Sequence, residues 1–189
     1  IALLVWLPLL LSLFFSGNFL RGLSQDVDQA HQGKELMELV LRLGSVADEH
    51  AVERGLSAGF LGSGGSQFKD KLLQQREKTD KAESELTSGL AKLEHLDAGI
   101  VKTIVSKLLS KFDEKASVRR SVDQLAPQNG AFTYYSHMNS MALDTITKLM
   151  GRVTDLEIRG DIGTMLHLLW MKERAGQVRG ALNGVFAQK

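Results

Sequence analysis

The 189-residue sequence contains no cysteine, and this absence excludes several kinds of site. Without thiols, the chain can form neither a disulfide scaffold nor a thiolate metal centre. The five histidines offer no substitute, because no two of them have the i, i+4 spacing of a helical metal site. We therefore expect no metal ion and no cofactor in this chain.

An excess of charge of one sign is also missing. The chain has 23 basic and 22 acidic residues, a formal net charge of +1, which gives no general case for a nucleic-acid partner. It contains no P-loop, no G-x-G-x-x-G and no recognisable Ser-His-Asp block, so we expect no enzyme here. Sustained alternation of polar and apolar residues is absent too, which argues against a β-sheet.

The first twenty residues carry no charged side chain, and the first charge is Arg21. A helix of about 20 apolar residues spans the hydrocarbon core of a bilayer. We interpret residues 1–20 as a transmembrane segment, truncated at its start because the chain opens with Ile1. A cleaved signal peptide is the alternative, although the apolar block is long and no A-x-A cleavage site follows. Residues 21–189 then form one extracytoplasmic domain, incomplete at its C-terminus.

Helical periodicity dominates the rest of the chain. Apolar residues recur at spacings of three and four, which is typical of one face of a helix. The pattern predicts five helices, over about 24–61, 68–93, 100–125, 138–153 and 156 to the end, with turns at 62–66 and 127–130. The predicted fold class is all-α: an antiparallel bundle of long helices with an N-terminal transmembrane helix.

Glycine is the one residue type in surplus, with 18 where about 13 would be usual at roughly 7%. Each glycine inside a helix costs about 1 kcal/mol relative to alanine. Yet Gly55 and Gly59 follow Arg54 in the same R-G-x-x-x-G pattern in which Gly180 and Gly184 follow Arg179. Spaced by four, and with Gly176 added to the second set, these glycines form smooth stripes that let helices pack closely.

The two arginines are the strongest candidates for binding chemistry. A guanidinium donates two parallel hydrogen bonds to a planar oxyanion. Two facing arginines repel each other, and one small anion between them relieves the repulsion. We therefore predict a small-anion site at Arg54 and Arg179, with Ser57 as a further donor three residues after Arg54. The residues alone indicate an oxyanion and no particular one.

At these residues the chain resembles the nitrate- and nitrite-sensing (NIT) domain of bacterial transmembrane receptors. The matching blocks are 52–61 (V-E-R-G-L-S-A-G-F-L) and 172–179 (K-E-R-A-G-Q-V-R), with weaker matches at 75–76, 79–80, 120–123 and Tyr135. The resemblance covers about residues 30–189. It implies a helical domain that binds nitrate or nitrite through Arg54 and Arg179. One departure is Val178, where the family often has glutamate.

The resemblance also implies a cellular setting. The domain would lie on the periplasmic or extracellular side of a bacterial inner membrane, as a homodimer, and signal to an output module such as a chemotaxis transducer or histidine kinase. A sensor of another anion, such as a carboxylate, stays open because of Val178. The rival interpretation is a membrane-anchored interaction or dimerisation bundle without a small ligand, in which Gly55, Gly59, Gly176 and Gly180 serve only helix packing.

Overall fold

A computed structural model describes residues 2–126 and 129–186, without the side chains of 2–5, 7, 8, 129 and 183–185. The chain folds into α1 (Ala2–Gly62), α2 (Lys69–Leu90), α3 (Ala98–Leu109), α4 (Lys115–Asp123), α5 (Asn129–Met150) and α6 (Leu156–Phe186). A 3-10 turn, Phe112–Glu114, separates α3 from α4. No strand occurs among the described residues, and the all-helical prediction is confirmed.

The single helix predicted over 100–125 is wrong, because the chain turns after Leu109. The turn is held by the Tyr134 hydroxyl, which donates to the carbonyl of Lys111 at 3.0 Å. It redirects α4 so that Lys115 and Arg119 reach carboxylates of α1 and α2. The apolar spacing alone predicted one continuous helix, but these ion pairs between distant residues favour a break. The turn predicted at 127–130 lies partly outside the described residues, and α5 already begins at Asn129.

The helices alternate in direction along the chain. In α1 and α2, Arg42 bonds the carbonyl of Glu85 and Glu49 accepts from Gln75, so the two helices are antiparallel, as predicted. Because α3 with α4 makes one pass, the described residues make five passes in all. An alternating chain with an odd number of passes returns parallel to its start.

Helices α1 and α6 accordingly run parallel, as the first and last of five alternating passes must. An added Cβ on Gly33 would meet Ile158, and one on Gly44 would meet Met165. Further along both helices, Arg54 bonds Glu173. The matching order of these contacts fixes the direction. The first and last helices therefore lie side by side over most of the domain, and the Arg54–Glu173 pair joins them at one point along their length.

The core begins about halfway along α1. The 61 residues of α1 make a helix about 90 Å long. The buried apolar positions start at Leu36, whereas every described side chain from Leu9 to Leu20 is exposed. No helix in the described part of the chain meets the length and hydropathy needed to span a bilayer. The described part of the predicted segment 1–20 continues into the domain as the same helix.

Two of the predicted packing glycines on α1 differ in their surroundings. A Cβ added at Gly59 would lie 3.0 Å from two atoms of the Phe68 ring, whereas one added at Gly55 meets nothing within 4 Å. Gly59 therefore makes room for the residue that precedes α2. Gly55 has no such packing role in the described structure.

Replacement of these two glycines by alanine should have opposite effects on stability. Gly55→Ala should raise the free energy of unfolding by up to about 1 kcal/mol, since alanine is the better helix former. Gly59→Ala should lower it by about 1–3 kcal/mol, because the added methyl group overpacks against Phe68. Urea denaturation followed by circular dichroism measures both. Equal shifts of the two midpoints would contradict the packing at Gly59.

Candidate functional site

Arg54 lies at the crossing of α1, α5 and α6. It is only 1% exposed although it is an arginine. Its Cζ stands 5.4 Å from the centroid of the Phe132 ring, and its Nη1 donates to Ser136 Oγ at 3.0 Å. A buried guanidinium needs a compensating negative charge, because desolvation without one is strongly unfavourable. The side chain that supplies this negative charge lies at the centre of the candidate site.

That group is Glu173 of α6, which is 4% exposed and accepts hydrogen bonds from three side chains. Arg54 donates from Nη1 to Oε1 at 2.5 Å and from Nη2 to Oε2 at 3.1 Å. Asn139 Nδ2 of α5 donates to Oε2 at 2.6 Å, and Gln177 Nε2 donates to Oε1 at 2.7 Å. We call Arg54, Asn139 and Gln177 the donor cage. It presents the donor pattern that a planar oxyanion requires.

The glycines of α6 give the donor cage its space. A Cβ at Gly176 would lie 3.2 Å from Arg54 Nη2, and one at Gly180 would lie 3.1 Å from the Phe132 ring. A methyl group at either position would make the guanidinium or the aromatic ring shift by a few tenths of an ångström. Gly176 thus makes room for the side chain of Arg54, and Gly180 makes room for that of Phe132. The surroundings of Gly184 fall outside the described side chains.

Polar atoms around Arg54 are not all satisfied. Among the described residues, Arg54 Nε, Ser57 Oγ and Asn139 Oδ1 are buried without a protein hydrogen-bond partner. Buried polar groups normally have one. Two of these groups are donors, and they lie on the same helix one turn apart. The site therefore keeps spare hydrogen-bonding capacity for a small acceptor.

Arg179 has a different environment from Arg54, because its side chain is exposed. It follows Gly176 by three residues, which is a rise of about 4.5 Å along the helix. Ser57 is buried like Arg54, whereas Arg179 lies exposed on α6. The assignment of Arg179 to the ligand stays a prediction.

An ionic network joins α1 to α2 and α4 directly beside Arg54. Arg119 donates two hydrogen bonds to Glu53, at 2.7 and 2.9 Å, and two to Asp80, both at 2.9 Å. Tyr135 Oη donates to Glu53 Oε1 at 2.5 Å. Since Glu53 precedes Arg54 in the chain, this network fixes the level at which α1 presents Arg54.

The electrostatics of this network favour ionised carboxylates. Burial raises the pKa of Glu53, but the hydrogen bonds and charge of Arg119, with the Tyr135 hydroxyl, outweigh burial and hold that pKa below 4.5. Asp80 is affected in the same way, since Arg119 and Lys115 lower its pKa below 3.8 despite its partial burial. Burial and the nearby charge of Glu53 raise the pKa of Tyr135 far above 10. Tyr135 is thus a permanent donor.

His50 belongs to the same network and not to the donor cage. Its Nε2 lies 2.7 Å from Glu83 Oε1, and Lys115 Nζ bonds the other oxygen of Glu83. The imidazole also packs edge-on against the rings of Phe112 and Tyr135. Within the described residues, no three acidic or imidazole side chains are grouped so that they could hold a metal ion.

Sequence reasoning missed the partners of Arg54. Glu173 lies inside the matched block 172–179 but received no role, because a helical glutamate next to Lys172 and Arg174 resembles a solvated charge. Asn139 carried no motif at all. The available signal was the position of Glu173, since Gly176 follows it by three residues and Gln177 by four, on one helix face.

The fold and the site together define a helical-bundle domain with a buried arginine whose surroundings suit an oxyanion. The chain belongs to the NIT family, described as nitrate and nitrite sensing, whose model matches residues 45–189. The match contains Arg54, the donor cage and the ionic network. Comparison with curated proteins and with solved structures gives no significant match. The family is a sensing family and not a catalytic one.

Removal of Arg119 should destabilise the domain strongly at neutral pH. Arg119→Met leaves the carboxylate of Glu53 buried and short of its main partner, which costs about 3–5 kcal/mol. Arg120→Met, its exposed neighbour, should change the free energy of unfolding by less than about 0.5 kcal/mol.

The pH dependence gives this prediction a second readout. Because the folded-state pKa of Glu53 is lowered, its stabilisation is complete above pH 4.5 and is lost as the pH falls through the folded-state value. Denaturation at pH 7 and at acidic pH should therefore show the gap between wild type and Arg119→Met narrowing on acidification. A gap independent of pH would show that Glu53 is not the group concerned.

Proposed function

We propose that the domain binds nitrate or nitrite at Arg54 and reports the binding through α1. The observation that carries the proposal is the buried guanidinium of Arg54 in a site of converging donors, at the crossing of the first and last helices. The family supports the choice of ligand. Ser57 Oγ and Arg54 Nε supply donors that no described protein group uses.

Arg179 is proposed as the second cation of the site. Its position less than one turn beyond Gly176 keeps its long side chain near the entrance to the crossing. From the exposed surface it can attract an anion and then fold over it, which a fixed buried group cannot do. A ligand shifts the arrangement of α1 and α6 only by binding one arrangement better than another.

We further propose a periplasmic or extracellular domain held at a bacterial inner membrane by residues 1–20. Support comes from α1, which runs unbroken from this apolar segment to Arg54. Its apolar side chains between Leu9 and Leu20 are exposed, and the buried core begins further along the helix, at Leu36. A change at Arg54 is therefore transmitted along one continuous helix towards the membrane.

Substitution of the two arginines tests the site by calorimetry with nitrate and nitrite. Arg54→Lys keeps the charge but loses the planar fork, so affinity should fall roughly tenfold to a hundredfold, the equivalent of one or two charge-assisted hydrogen bonds. Arg179→Ala should also weaken binding.

Arg174→Ala is the matched control, since Arg174 is exposed on the same helix and should leave the affinity unchanged. Circular dichroism verifies that every variant is folded. Wild-type affinity in both the Arg54 and the Arg179 variants would reject the site.

A dimerisation module without a small ligand is the second candidate, and one observation supports the dimer that it requires. On the outer face of α6, Leu168, Met171, Ala175, Val178 and Leu182 follow each other at spacings of three and four, and the four large side chains are 48–68% exposed. We call these five residues the α6 seam. Such a heptad pattern packs against another helix with the same pattern, and a second copy of the chain supplies one.

Because the chain lacks cysteine, single engineered cysteines can test the α6 seam. In a parallel α6 pair the two copies of residue 178 face each other within disulfide reach. Val178→Cys should therefore give a covalent dimer on mild oxidation, seen on a non-reducing gel. Leu73→Cys, at an exposed apolar position of α2, is the control and should stay monomeric. Equal cross-linking of both variants would rule out the seam as the interface.

A further inference from the structure

We infer that the donor cage is an oxyanion site which Glu173 itself occupies, and that the sensed anion takes over this place when it binds. The inference rests on the proposed function and names the internal competitor that sets the affinity of the site. It starts from shape. A carboxylate presents two oxygens in a plane, as nitrate and nitrite do, and the guanidinium fork pairs with either in the same way.

The number and origin of the donors support this assignment. Both oxygens of Glu173 accept two hydrogen bonds each, from helices α1, α5 and α6. An ion pair that only fixes α1 to α6 needs one partner. The donor cage adds two amides that converge on the same carboxylate, and each remains a donor for whichever anion stands there.

Charge favours exchange over addition. Arg54 is 1% exposed and Glu173 is 4% exposed, so the pair forms a neutral unit in a dry interior. A second anion beside Glu173 would put two negative charges on one buried guanidinium, and an unpaired buried charge is strongly unfavourable. If the anion instead replaces the carboxylate and Glu173 moves out to solvent, Arg54 has one negative partner both before and after the exchange.

Exchange has two consequences for sensing. The apparent affinity is reduced by the fraction of molecules whose cage is open, so Glu173 determines the anion concentration to which the domain responds. Binding also replaces the direct ion pair between Arg54 and Glu173 with an indirect contact, because the new acceptor is held to α6 only by the hydrogen bond from Gln177. Recognition and the change in helix packing then become one event.

Removal of the competitor tests the inference. Glu173→Gln keeps the volume but has only one acceptor oxygen, so it is a poor occupant of the fork; nitrate affinity measured by calorimetry should rise tenfold or more. Glu83→Gln is the matched control, since it neutralises another buried carboxylate, one that bonds His50 and Lys115, and it should not tighten binding. A Glu173→Gln protein that binds nitrate no better than wild type overturns the inference.

Glu173→Ala tests whether the anion occupies the cage itself. This variant should lose thermal stability and regain it with millimolar nitrate, nitrite or formate, but far less with chloride, which lacks the two-oxygen geometry. In the same background, Gln177→Leu should weaken nitrate binding about tenfold, because it removes a donor that points only at the place of Glu173. Gln75→Leu, which changes a glutamine bonded to Glu49, should leave the affinity as it is.

The outcomes separate this inference from the proposed function. If nitrate binds wild type through Arg54, but neither Glu173 variant gains affinity or rescue, the function stands and the exchange is wrong. If nitrate binds no variant while formate rescues Glu173→Ala, the cage is an oxyanion site and nitrate is not its ligand. Equal affinities of Glu173→Ala with and without Gln177→Leu place the anion outside the cage. If Glu173→Ala does not fold, the Glu173→Gln comparison decides alone.

Discussion

The structure depends on one buried ion pair, between Arg54 of α1 and Glu173 of α6. Both partners are almost fully buried, and loss of either would leave an uncompensated charge in the interior, at a penalty of about 3–5 kcal/mol. Such a pair contributes little net stability compared with apolar packing. It instead fixes the register of two parallel helices, because the hydrogen bonds form only at one relative position. The same property makes the pair suitable as a switch.

Two neighbouring carboxylates, Glu53 and Glu173, are bound to different parts of the bundle. Glu53 is held by Arg119 and Tyr135, and all of these groups belong to α1, α4 and α5. Glu173 belongs to α6 and contacts α1 through Arg54. The first set anchors Arg54 in the bundle, whereas the second connects it to the last helix. An anion that competed for Arg54, as proposed, would therefore weaken the contact between α1 and α6 and leave the contacts of Glu53 intact.

Periodicity predicted the helices well where packing followed it and failed where charge intervened. Helices α2 and α6 lie close to their predicted bounds, whereas α5 begins at Asn129 and not near the predicted 138. The break after Leu109 depends on Tyr134 and on ion pairs to residues distant in sequence. The glycine surplus led to Arg54 because glycine in a helix is costly and needs a reason. Glu173, Asn139 and Gln177 could not be found in this way, since their role exists only once three helices meet. Arg179 was predicted beside Arg54, yet it is exposed, and no sequence pattern distinguishes the two.

The parallel direction of α1 and α6 constrains how the domain can signal. Helices α1 and α6 run in the same direction and are joined at Arg54 and Glu173. If this ion pair separates, one helix can slide along the axis of the other. Such sliding is a small displacement between packed helices, which well-packed interfaces make in discrete steps. Since α1 continues without a break from Arg54 to the apolar residues at its start, a displacement at the level of Arg54 would be carried along its axis to those residues.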